Sequence, residues 1–373
     1  YFFPLNNMKQ ISLFIAVVCF YACTAEKKQI RTSSKMEVIA YYTGNSETID
    51  QYSVEKLTQI IFSFGHLKGN SLHIGSARDT ATIHKLVSLK SRNPSLKVLL
   101  SLGGWGGCSP CSEVFSTEKG RSDFVLSVKE LLQYFKADGI DLDWEYPAIA
   151  GFPDHAYSPA DKDHFTQLVQ ELRTVLGKKA VISFAAGGFD RFLEQSIDWK
   201  NVMPLISNVN LMSYDLVSGF SKVTGHHTGL YSTEKQKQSA DNAIRYFLNE
   251  NLPLGKIIIG SAFYARGWDS VSNENNGLYQ QGVFKHFIPH KHFDRRLNKE
   301  SGFTFYIDST ALAPFAYNST TKTFFTFDDK RSVTEKVTYV KKMKLGGIMF
   351  WESTLDKPVD GLLDAIDKEK HRK

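Results

Sequence analysis

Eight short runs rich in β-branched and aromatic residues alternate with segments of helical spacing along most of the chain. That alternation limits the fold more tightly than any other feature. The runs lie at residues 37–42, 59–64, 97–102, 138–147, 181–186, 209–212, 256–261 and 346–351. Helical spacing is read over 50–57, 81–89, 121–134, 161–176, 237–249, 333–343 and 360–368, as in Phe124, Val125, Val128, Leu131, Leu132 and Phe135. Strands separated by helices build a parallel sheet, and eight of them close into a barrel. The expected fold class is therefore α/β, a (β/α)8 TIM barrel. An open doubly wound sheet is the runner-up. It usually carries a glycine-rich nucleotide turn after an early strand, and Gly103-Gly104-Trp105-Gly106-Gly107 lacks the G-x-G-x-x-G spacing.

One interval is too long for a loop. About 80 residues separate the seventh and eighth runs, with short alternating segments such as Phe303-Thr304-Phe305-Tyr306-Ile307 and Phe324-Phe325-Thr326-Phe327. A structureless connection of that length is rare. A small α+β insertion over residues 269–330 is expected instead, within a catalytic barrel spanning 36–368.

The first 35 residues read as a signal peptide and tether. Met8-Lys9 precedes an apolar stretch, Ile11 to Tyr21, which is too short to span a bilayer and suits a secretory signal. Ala22-Cys23 closes it. Lipidation of Cys23 and simple cleavage after Ala25 are both open. The expected location is extracytoplasmic, either secreted or as a cell-envelope lipoprotein with a lipid anchor. Cys108-Ser109-Pro110-Cys111 is a lone C-x-x-C with no second pair to complete a zinc ribbon. In an exported chain a loop-pinning disulfide between Cys108 and Cys111 is the first reading, and free thiols the second. The net charge of +6 is spread without a basic stripe, so a nucleic-acid partner is not expected.

The chemistry concentrates in Asp138-Gly139-Ile140-Asp141-Leu142-Asp143-Trp144-Glu145-Tyr146-Pro147, with four acids in eight residues. Read as a strand, it puts Asp141, Asp143 and Glu145 on one face and Ile140, Leu142 and Trp144 on the other. Alternate Cβ atoms lie roughly 6–7 Å apart. Carboxylates that close repel, so at least one proton affinity should rise and the set should titrate as a unit. Active sites of such barrels sit at the C-terminal ends of the strands. There the sequence places Trp105 after the third strand, Glu145 after the fourth, Tyr214-Asp215 after the sixth, Tyr264 and Arg266 after the seventh, and Trp351-Glu352 after the eighth.

The chain resembles glycoside hydrolase family 18, the chitinase family. Asp138 to Pro147 matches the D-x-x-D-x-D-x-E motif, and Ser101-Leu102-Gly103-Gly104-Trp105 the S-x-G-G motif. Met212-Ser213-Tyr214-Asp215 matches M-x-Y-D, and Gly346 to Trp351 the closing strand with its tryptophan. Tyr264-Ala265-Arg266 stands where the family often has Tyr-Gly-Arg, a departure of one methyl group. The segment before the last strand resembles the family's chitinase insertion domain.

The resemblance implies retaining hydrolysis of β-1,4 bonds between N-acetylglucosamine units, in which the substrate's own acetamido oxygen is the nucleophile. It implies Glu145 as acid and then base, with Asp143 holding the acetamido N–H and Asp141 sharing a proton with Asp143. Tyr214 would donate to the acetamido oxygen, and Trp351 would floor the reactive subsite. Asp215, Arg266, Tyr264, Met212, Trp105 and Tyr146 are the further substrate-contact candidates. Asp138, Gly103 and Gly104 are structural. No metal or cofactor is implied. The partner is chitin or another N-acetylglucosamine-containing oligosaccharide, met by a monomer. An endo-β-N-acetylglucosaminidase acting on glycoprotein glycans carries the same motifs. A non-catalytic chitin-binding lectin usually lacks the acid that Glu145 supplies.

Overall fold

The structure, a computed structural model, describes residues 36–372. The signal, tether and Cys23 readings lie outside that range.

Eight parallel strands close on one another. In chain order they are Glu37–Tyr42, Gln59–Lys68, Lys97–Gly103, Gly139–Asp143, Val181–Gly187, Asn208–Met212, Ile257–Ala262 and Gly347–Trp351. Each pairs with its sequence neighbour, and the first pairs in parallel with both the second (Ile39 opposite Gln59) and the eighth (Glu37 opposite Gly347). The α/β class and the (β/α)8 TIM barrel are as expected.

Period-two alternation sorts the side chains. Val38, Ile60, Leu100, Ile140, Ile182 and Leu211 point outward into the main core beneath the helices. Ile39, Ile61, Leu99, Ile258 and Met349 point inward and fill the barrel. Helix Glu118–Phe135 shows how the outer layer forms. Thr117 caps it by accepting the Gly120 N–H, and Phe124, Val125, Val128, Leu132 and Phe135 bury one stripe. The expected helix over 50–57 is instead two 3₁₀ turns, Thr48–Gln51 and Val54–Lys56, each burying one side chain, Ile49 or Val54. Eight residues with two anchors do not sustain an α-helix.

The fourth strand is shorter than the acidic run. It ends at Asp143 because its partners end there: Gly103 is the last residue paired on one side, and Leu142 opposite Phe184 the last pair on the other. Gly103 has φ +112°, and a Cβ built on it would lie 2.1 Å from the Asp143 carbonyl oxygen, which accepts the Gly104 N–H at 2.9 Å. Only glycine tolerates that backbone and that approach. Gly103→Ala should therefore lower stability by about 1–3 kcal/mol and reduce activity by displacing Asp143. Gly255→Ala, where a Cβ meets nothing within 4 Å, should change neither. Thermal unfolding and turnover of the two variants check this.

Between the seventh and eighth strands stands a five-stranded antiparallel sheet, in the order Val283–Pro289, Tyr264–Asp269, Thr323–Thr326, Ala313–Asn318, Thr304–Asp308. It begins before Asp269, the expected boundary, because successive residues of its first strand serve two bodies. Tyr264 packs with the barrel-mouth residues, and Ala265 packs into the insertion's own core with Ile288, Ala316 and Phe325. The chain re-enters the barrel through a buried junction. Asp328 accepts the Ala262 N–H (2.9 Å), Ser261 Oγ (2.8 Å), Thr228 Oγ1 (2.9 Å) and Lys336 Nζ (2.7 Å), with both charged side chains 1% exposed or less.

Candidate active site

The inward positions of the fourth to sixth strands break the apolar filling. Asp141, Ser183 and Asn210 are polar and fully buried. Asp141 Oδ2 accepts from Ser101 Oγ (2.9 Å) and Tyr41 Oη (3.2 Å), and Oδ1 from Ser183 Oγ (2.6 Å) and Asn210 Nδ2 (3.0 Å). Four donors fill its acceptor sites. Burial still raises its proton affinity, and these four bonds oppose the rise. The expected proton-sharing contact between Asp141 and Asp143 is not made among the described contacts, because the four donors already occupy Asp141.

Asp143 lies one step nearer the mouth, 3% exposed, with Oδ1 buried and unpartnered. Burial pushes its proton affinity well up, and the neighbouring charges of Glu145 and Asp141 push it further. Glu145 follows Trp144, which turns outward into the core. Its carboxyl is raised to about 7, first by burial and then by the charge of Asp215, against the hydrogen bond from Tyr146. The row of acids is therefore graded. The deepest is satisfied by neutral donors, the middle one is unpartnered, and the outermost titrates near neutral pH.

Above the row opens a cavity of about 950 Å³. Asp143, Glu145, Tyr146, Met212, Tyr214 and Asp215 line it, together with Trp105, Tyr264, Arg266 and Trp351. Tyr214 is buried, which raises its hydroxyl well above the ordinary value and keeps it protonated, a standing donor. Its Oη is 3.8 Å from Met349 Sδ, a weak partner. Trp351 stacks on Phe64 (centroids 5.7 Å, planes 14° apart) and tilts on Tyr41. Trp105 is 48% exposed and lines the cavity, its ring edge-on to Phe152.

Arg266, expected as a substrate contact, lines the cavity and is also engaged within the protein. Its guanidinium forks onto Asp215 through Nε and Nη2 and lies over the rings of Tyr264 and Phe284. Burial opposes it, but Arg266 and then His227 hold Asp215 well below the usual carboxylate range. Asp215 is thus a fixed anion. Glu352 turns away from the cavity and accepts the Thr43 and Thr354 N–H groups. Asp138 sits at the opposite end of the fourth strand, accepting Val98 N–H (2.8 Å) and pairing with Lys90 and Lys97. Gly104, at φ +81°, would drive a Cβ into the Phe64 ring at 2.3 Å. Cys108 and Cys111 form a disulfide that ties the first residue of helix Cys111–Ser116 to the loop before it.

The family model described as glycosyl hydrolases family 18 matches residues 37–356. The chain belongs to that family. Among its family 18 relatives, Chitinase A1 of Niallia circulans is 31% identical over 303 residues, which take in 74% of this chain and 43% of that protein. The match thus spans less than half of that relative. Chitotriosidase-1 of Mus musculus is 29% identical over 323 residues, 80% of this chain and 67% of that protein. A solved family 18 N-acetylglucosaminidase from Paenibacillus barengoltzii superposes with a TM-score of 0.81 at 33% identity, covering 90% of this chain and 99% of that one.

Sequence reasoning did not pick out Tyr41, Phe64, Ser183, Asn210 or His227 as site residues. Ser183 and Asn210 carry a readable signal, a polar residue between apolar neighbours in a strand. His227 carries none, since it lies on a loop.

Proposed function

We propose that this family 18 hydrolase cleaves β-1,4 bonds between N-acetylglucosamine units in chitin or chito-oligosaccharides, with retention and with the substrate's acetamido group as nucleophile. One observation carries the reading. Glu145 is a carboxyl of raised proton affinity in a cavity whose other carboxylates are unfree: Asp215 is forked by Arg266, and Asp143 lies beneath, buried and itself raised. These features support a general acid with no free carboxylate nucleophile among the described residues of the cavity.

In this reading Glu145 protonates the leaving oxygen. The acetamido oxygen closes on the anomeric carbon, giving an oxazolinium ion. Asp143, whose Oδ1 has no protein partner, accepts a hydrogen bond from the acetamido N–H, and the new positive charge opposes the burial that raises its proton affinity. Tyr214 donates to the acetamido oxygen and aims it. Glu145, now ionised, takes a proton from the water that opens the ring. Asp141 supports the row from below, and Trp351 lies under the sugar. The presence of Glu145 disfavours the lectin reading.

Incubation with chitin oligomers, their de-N-acetylated forms and a high-mannose glycoprotein tests the proposal. Cleavage of the acetylated oligomers is expected, with the deacetylated ones cut at least about 10³-fold more slowly, since a positioned nucleophile is lost. Equal cleavage of both would sink the substrate-assisted route, and cleavage of the glycoprotein alone would sink the chitin reading. A second reading, removal of single terminal N-acetylglucosamine units, is favoured by the likeness to the Paenibacillus barengoltzii N-acetylglucosaminidase. Products from a pentamer separate the two.

A further inference from the structure

Asp215 offers its carboxylate to the cavity from a left-handed backbone, φ +54°, and its two oxygens are engaged unequally. Oδ1 accepts from Tyr264 Oη (2.8 Å) and from Arg266 Nε, and His227 Nδ1 lies 3.3 Å from it. Among the described contacts, Oδ2 accepts from Arg266 Nη2 alone. A carboxylate oxygen has about two acceptor sites, so Oδ1 is filled and Oδ2 keeps one open.

His227 stands behind this carboxylate. It is fully buried, its ring lies 5.3 Å from that of Tyr264, and its backbone N–H donates to Thr326 Oγ1 on the insertion sheet (3.2 Å). Its Nε2 is buried with no partner. The charged groups facing it are Asp215, Arg266 and Asp328. Burial lowers its proton affinity, and Asp215 only partly opposes this, so the ring is neutral at neutral pH. A neutral ring has one N–H to place. On Nε2 it would be a buried, unmet donor, and the Nδ1 lone pair would face a carboxylate. On Nδ1 it donates to that carboxylate, and only an acceptor is left unmet.

We propose that His227 is a positioning residue for Asp215: as the Nδ1–H tautomer it holds Oδ1 from the buried side and turns Oδ2 toward a hydroxyl or amide N–H of the bound sugar. This role rests on the saccharide reading of the cavity given above. It also gives the insertion a part in substrate binding, because Thr326, Tyr264 and Arg266 all belong to the insertion sheet.

Two experiments test it. In wild-type protein with ¹⁵N-labelled histidine, the His227 ring should read as neutral with its proton on Nδ1 at pH 7; a proton on Nε2, or an imidazolium, overturns the proposal. In kinetics on a chito-oligosaccharide, His227→Leu should lower kcat/KM roughly tenfold or more, the loss of a hydrogen bond to a charged group, mostly through KM. His227→Gln, which can still donate, should recover most of it. An unchanged His227→Leu, or a His227→Gln as poor as His227→Leu, overturns the proposal. If the wild type cleaves nothing, the saccharide reading fails instead, and the ring measurement still decides whether His227 holds Asp215.

Discussion

Glu145→Gln lowers kcat on chito-oligosaccharides by roughly 10²–10⁴-fold, the usual contribution of a positioned acid, and changes KM little. The amide has nearly the shape of the carboxyl and has no proton to give. In the wild type the acid is competent while it holds its proton, so turnover should fall as pH rises through about 7. The same proton affinity acts on stability. The folded protein holds this proton up to about 7, while a free carboxyl of this kind releases it at 4.5. Stability from this group is therefore fully present below 4.5 and is lost as pH rises to about 7, by up to about 3 kcal/mol. Glu145→Gln lacks that loss. It should match the wild type in denaturant at pH 4 and exceed it at pH 8. A variant that keeps full turnover, or is no more stable at pH 8, would refute the assignment.

The other large effect lies away from the chemistry. Lys336→Met should destabilise the fold by about 3–5 kcal/mol, because it leaves the Asp328 carboxylate buried without its cation. The pair is 1% exposed or less, so water cannot substitute. Replacing both partners, as in Asp328→Asn with Lys336→Met, should recover part of the loss. Recovery should stay incomplete, because Asp328 also accepts from Ala262, Ser261 and Thr228 and an amide has fewer acceptor sites. Urea unfolding of the wild type, the two single variants and the double variant measures this. Additive losses in the double variant would show that the two side chains are not coupled.

The barrel was legible because its evidence is local and repeated. Runs such as Lys97 to Leu102 and Val181 to Ala186 are read from their own residues, and each falls within one residue of the observed strand end. The fourth strand was overextended because its end is set by Gly103 on a neighbouring strand. Most of the cavity-lining candidates, from Glu145 to Trp351, were reached by asking which residues follow strand ends. The web around Asp141 was not reached. Ser183 and Asn210 reach Asp141 through the register of neighbouring strands, and Tyr41 through closure of the barrel. Arg266 had the right location, but its partner Asp215 lies 51 residues away, a separation that no pattern spans.

The strand Tyr264–Asp269 follows the seventh barrel strand after a single intervening residue, and this makes the insertion a poor cassette. Excising it to widen the groove, or grafting another in its place, would also remove Tyr264 and Arg266 and leave Asp215 an unclamped anion beside the acid. Any engineered exchange has to be spliced beyond Asp269 and before Thr323, so that Tyr264–Asp269 and Thr323–Thr326 stay with the host barrel and the other three strands travel.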